Sequence, residues 1–163
     1  MNNDFVIGKF IMRTLRDDES LKGVAMISKG VLKGLLLFLF LLSLFFGIIF
    51  RDVMFSILVF LVSTPFFLFA IIREYIYIKS IELAFTNRRV IGKVGLINTV
   101  TIETPLNKIN NISIRKNFLA HLFGYGTLII TSSSMDHVFH YIDSPEKFKN
   151  KLLDEINNFI NVN

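Results

Sequence analysis

The chain has 163 residues and a net charge of +5. With 52% hydrophobic residues and a mean hydropathy of +0.55, it is too apolar for an ordinary soluble domain. It contains no cysteine, which excludes a disulfide framework and a thiolate metal site.

Residues 1–33 form an arm that carries Lys9, Arg13, Arg16, Lys22, Lys29 and Lys33. Its stretch from Phe5 to Arg16 mixes apolar and basic residues. That pattern suits either an amphipathic helix lying at a membrane surface or a helix packed on a neighbouring domain. No signal peptide is evident, because the first apolar run begins about thirty residues in and is too long for one.

Residues 34–72 contain two charges, the adjacent Arg51 and Asp52. A lipid-spanning helix needs about 20 mainly apolar residues. The block therefore predicts a two-helix transmembrane hairpin, Gly34–Phe50 (extended back past Lys33) and Val53–Ile72. Lys33 can snorkel to the headgroups. Small residues four apart, Gly30 with Gly34 and Ser43 with Gly47, are candidates for close helix packing. Pro65 predicts a kink in the second span. Lysine and arginine flank both outer ends of the hairpin, and the turn offers only Arg51. Both termini are therefore expected on the cytoplasmic side of the cell (inner) membrane.

Residues 73–163 read as short strands. Ile81–Thr86 and Arg89–Lys93 are separated by the turn-prone Asn87, and Gly95 leads into Leu96–Thr104, which Pro105 ends. Ile109–Arg115 alternates in polarity. Asn117–Phe123 is a short helix or loop, and Tyr125–Ser132 with Val138–Ile142 forms a hairpin. Ser144 and Pro145 then open a helix. Phe148, Leu152, Ile156, Phe159 and Ile160 make one apolar face of it. A curled antiparallel sheet closed by a C-terminal helix follows.

At these residues the sequence resembles the membrane-anchored type of bacterial pleckstrin-homology-like (PH-like) domain. Leu83-Ala-Phe-Thr-Asn-Arg-Arg-Val90 is similar to the opening motif of that family. Gly95-Leu-Ile, Pro105-Leu-Asn-Lys-Ile109 and Leu122-Phe-Gly-Tyr-Gly-Thr-Leu-Ile129 are similar to later ones. Ser144-Pro-Glu146, the preceding hairpin and a Leu15-x-x-x-Glu19 pattern in the arm also fit. The resemblance implies an α+β fold, an antiparallel β-barrel of about seven strands capped by a C-terminal α-helix. Six strands are identified, and the seventh is either short or near Glu74–Lys79. The resemblance implies no reaction and no cofactor.

The chemistry-bearing residues are few. Ser132, Ser133, Ser134, Asp136, His137 and His140 crowd one hairpin tip, which suits turn residues better than a catalytic set. They match no fixed metal-binding spacing. Gly124-Tyr-Gly126 lacks the third glycine of a dinucleotide loop. Residues 73–116 carry eight Lys/Arg against three Glu. Within them Arg88, Arg89, Lys93, Lys108, Arg115 and Lys116 are candidates for contact with anionic lipid headgroups at one rim of the sheet. Nucleic acid is not an expected partner, since basic and aromatic residues do not combine into a platform. The expected function is a non-enzymatic module facing the cytoplasm that binds a protein partner, itself or the bilayer's headgroups. The alternative is an accessory subunit of a membrane transporter or envelope-biogenesis enzyme.

Overall fold

The computed structural model describes residues 8–49, 53–95, 98–133 and 135–162. Among the described residues, seven antiparallel strands form two sheets. The first contains β1 (Leu21–Val24), β2 (Glu82–Thr86), β3 (Arg89–Val94) and β4 (Val100–Pro105), in that order. The second contains β5 (Ile109–Arg115), β6 (Tyr125–Ser132) and β7 (Asp136–Asp143).

Inward side chains of both sheets share one core, including Leu83, Phe85, Val90, Ile102, Ile112, Leu128, Ile130 and Phe139. Helix α5 (Pro145–Val162) seals it with Phe148 and Leu152. Phe148 meets Phe85 edge to face, with ring centroids 5.3 Å apart, a favoured aromatic geometry. Ile156 and Phe159 extend the same face, whereas Ile160 lies beyond it and is exposed. Gly95 turns β3 towards β4 at φ +96°, a left-handed conformation that a side chain resists.

The seventh strand is β1. It is short, and it lies in the arm rather than near Glu74–Lys79, which is helical. Four residues without strong alternation could not reveal it, because its definition comes from pairing with β2. The arm then links the two sheets of the barrel along one edge. Ala25 N–H donates to Leu83 O in the first sheet, at 2.8 Å. Asp143 N–H donates to Met26 O, and Ser28 N–H to Tyr141 O, in the second.

Of the two expectations for the early arm, the structure has the helix packed on the domain. Helix α1 (Lys9–Thr14) lies against β2 and β3 with Ile11 fully buried. The Glu82 carboxylate accepts the N–H groups of Phe10 and Ile11 at 3.1 and 3.2 Å. It thereby satisfies donors that a helix start leaves open.

Helix α2 (Gly30–Ile49) and helix α3 (Val53–Ser80) pack against each other. Helix α3 continues past Ile72 and reaches β2 after the single residue Ile81. Pro65 lies within this one helix. Leu61–Ser80 is long and apolar enough to cross a membrane, and Gly30–Leu42 is a shorter apolar stretch among the described residues.

Candidate functional site

The six basic candidates do not share a rim. Arg89 is buried, and its Nε lies 2.8 Å from Glu19. The same guanidinium pairs with Glu103 and donates to Thr14 O at 3.1 Å. Thr86 Oγ1 accepts the Arg88 and Arg89 N–H groups, which fixes the turn between β2 and β3. Thr86, Arg89 and Glu19 are thus a structural lock that fastens the arm to the domain. Arg89 is corrected from a surface contact to a core ion pair. Arg89 and Glu19 each stand in a recognisable motif, but neither motif indicates that the two residues meet.

Arg88 is exposed at the same end and pairs with Asp18. Lys93 lies at the other end of β3, opposite Glu82, with its ammonium 5.9 Å from the Phe10 ring centroid. Lys108 is exposed in the short helical turn just before β5. Arg115 and Lys116, at the end of β5, are brought together with something else. They line a cleft of about 640 Å³ between the domain and the helix pair. That size is within the range of small-molecule sites.

One wall of the cleft is apolar and comes from the helices, through Val31, Leu35 and Phe38 of α2 and Ala70 of α3. The other is polar and comes from the barrel, through Arg115, Lys116, Tyr125, Thr127, His140 and Tyr141. Arg73 and Glu74 of α3 also line the cleft.

A β-bulge builds the polar wall. Opposite Thr127, between the pairs Gly126–Ile142 and Leu128–Phe139, strand β7 has two residues, His140 and Tyr141. Tyr141 sits there at φ +59°, a conformation uncommon for a bulky side chain. The bulge aims Tyr141 at α3. Its ring packs edge-on to those of Tyr77 and Tyr125, at 6.1 and 5.7 Å. Burial, then a hydrogen bond to Glu74, raises the Tyr141 pKa strongly, and burial raises that of Tyr125. Both phenols therefore stay protonated. Glu74 is itself buried, and Arg73 Nη2 lies 3.4 Å from it. His140 Nδ1 is 3.1 Å from Thr127 Oγ1.

The charges are unequally engaged. Lys116 Nζ lies 2.7 Å from Glu146 Oε1. The hydrogen bond from Lys116 holds the Glu146 carboxyl below its usual pKa. Among the described residues, Arg115 has no ion pair and is exposed.

Of the small residues of α2, Gly30 and Gly34 meet the domain that follows the helix pair. A Cβ on Gly30 would lie 2.9 Å from both Phe123 Cβ and Tyr125 Cδ1, and one on Gly34 would lie 3.3 Å from the Phe123 ring. Both glycines are therefore a seat for helix α4 (Phe118–Phe123), which docks the barrel on α2. The Ser43 side chain and the surroundings of Gly47 lie outside the described residues. Asn117 caps α4 by accepting the Ala120 N–H at 2.8 Å. Beside the cleft, α4 exposes Phe118 (81%), Leu119 and Leu122.

The serine and histidine residues of the β6–β7 tip do not converge. His137 Nε2 faces Thr104 Oγ1 at 3.4 Å, while His140 belongs to the cleft. Ser132 Oγ donates to Met135 O as a turn residue, and Ser134 lies outside the described residues.

The family model of the bacterial PH domain matches residues 29–156. No curated protein and no solved structure matches the chain.

Proposed function

The chain belongs to the bacterial PH domain family, and on that premise we propose that it is a membrane-anchored interaction module facing the cytoplasm. PH domains are generally non-catalytic. The anchor in this reading is the α2–α3 hairpin. One observation carries the reading: α3 is a single helix whose outer part is apolar and exposed and whose inner part is built into the barrel. Leu61, Phe66 and Phe69 are 68–73% exposed. A contiguous apolar surface of this kind needs a cover in water, and lipid supplies it. Towards the barrel the same helix presents Tyr75, with the Lys79 ammonium 5.4 Å from its ring centroid. Aromatic and basic residues of this kind favour the membrane–water interface.

The twenty residues of α2 would span ~30 Å, the thickness of the hydrocarbon layer. With both helices across the bilayer, the arm and barrel lie on one side, and the excess of Lys and Arg at both outer ends makes that side the cytoplasm. Alkaline carbonate extraction and reporter fusions test this. The chain should remain in the membrane pellet. Reporters at the C-terminus should be cytoplasmic, and those between α2 and α3 should be outside. Release into the supernatant, or an extracytoplasmic C-terminus, would overturn the reading.

A further inference from the structure

We infer that the cleft between barrel and hairpin binds one anionic phospholipid, with its phosphate at Arg115 and Lys116 and an acyl chain along the apolar wall formed by α2 and α3. The inference rests on the membrane-anchored reading and adds an occupant and a site to it.

Three observations lead to it. First, the two walls differ in chemistry in the way an amphiphile requires. Leu35, Phe38 and Ala70 face the cationic barrel side across the same space. A free inorganic anion would leave the apolar wall uncovered, and an apolar peptide would leave Arg115 unpaired. A phospholipid satisfies both.

Second, the charge is complementary. Arg73, Arg115 and Lys116 line the cleft against one carboxylate, Glu74. Glu74 is engaged by Arg73 and Tyr141. Arg115 is the cation left without an ion pair among the described residues. A guanidinium offers a planar fork that fits phosphate oxygens.

Third, the walls are held firmly. Gly30 and Gly34 seat Phe123 against α2, and Ser28 N–H donates to Tyr141 O at 2.7 Å just before α2 begins. Tyr141 keeps an uncommon backbone conformation in order to face α3. Conformations of this kind persist where the surroundings over-determine them, which is often at ligand sites. Leu119 of α4 lines the cleft, and Phe118 and Leu122 of the same helix are exposed, an apolar surface that suits contact with the bilayer.

The test uses the full chain in a non-ionic detergent, read by native mass spectrometry. The probes are phosphatidylglycerol, phosphatidylcholine with the same acyl chains, and glycerol 3-phosphate. One phosphatidylglycerol per chain should be retained in preference to phosphatidylcholine. Arg115→Glu should lower that retention about tenfold or more, the scale set by reversing one well-placed charge. Arg88→Glu, at the opposite end of the barrel, should leave it unchanged. Leu35→Trp, which fills the apolar wall, should weaken retention of both lipids. Equal retention of the two lipids, or no effect of Arg115→Glu, would overturn the inference. Glycerol 3-phosphate displacing the lipid at equal concentration would also overturn it, since the site would then serve a free anion. Arg115 is exposed and has no ion pair among the described residues, so a thermal melt should show Arg115→Glu folded. Carbonate extraction of the same variant separates the two ideas: a chain that stays in the membrane but retains lipid unselectively removes the cleft and leaves the anchor standing.

Discussion

Replacing Arg89 by methionine should destabilise the barrel far more than any other change in its basic residues. The Glu19 carboxylate opposite it is 1% exposed and the Arg89 side chain 8%. Removing the guanidinium therefore leaves a charge out of water with no partner, which costs about 3–5 kcal/mol in comparable buried pairs. Thr14 O loses a donor as well. The Glu103 side chain is 44% exposed and can turn to solvent, so its share is small, under about 1 kcal/mol. For a chain of this size the total corresponds to a fall in Tm of roughly 10–20 °C. The melt can be followed by circular dichroism in detergent. Arg88→Met, whose ion pair with Asp18 is 55% exposed on both sides, is the control and should shift Tm by a few degrees at most. Combining Arg89→Met with Glu19→Leu should recover much of the loss, because apolar replacement of both partners of a buried pair is often neutral. If Arg89→Met melts like Arg88→Met, the pair does not hold the arm to the barrel and the lock is refuted.

Two further outcomes follow from close packing and from one titrating group. Gly30→Val should loosen α4 from α2, since its Cβ would lie 2.9 Å from Phe123 Cβ and 3.1 Å from Phe123 O. Overpacking of this kind costs about 1–3 kcal/mol, and a melt unchanged from wild type would show that the seat is not needed. His137 has its pKa lowered by burial, with Asp136 opposing, so the folded barrel favours the neutral ring. The unfolded chain then binds the proton first, near pH 6.5. The contribution is fully present above that pH and is lost as the solution is acidified through it towards the folded value. Tm should fall between pH 7.5 and 5.5, less steeply in His137→Gln, and parallel profiles for the two proteins would remove His137 as the cause.

The parts of the fold defined by local pattern were legible from the sequence. The apolar face of α5, the turn at Gly95 and the alternation in β5 all depend on near neighbours. The C-terminal helix begins at Pro145, as its position after Ser144 implies. What depended on distant pairing was not legible. Strand β1 is four residues that acquire their conformation from β2, more than fifty residues later. Arg89 looks like a surface cation until Glu19 is brought beside it. Gly30 and Gly34 do mark a close approach, but spacing alone could not tell a second membrane helix from Phe123 of the barrel. For the candidate site, Arg115 and Lys116 were visible as charge. The cleft was not, because it needs the Tyr141 bulge, and a bulge is a mismatch between two strands that neither strand carries by itself.

Membrane depth is measurable with one reporter, because the chain contains no tryptophan. Phe118→Trp places an indole on the exposed face of α4, and Arg88→Trp places one on the far turn of the barrel. In vesicles containing lipids brominated near the headgroup, emission from Phe118→Trp should be blue-shifted and strongly quenched, while that from Arg88→Trp should be neither. Equal, water-like emission from both positions would place the barrel away from the bilayer, and the cleft with it.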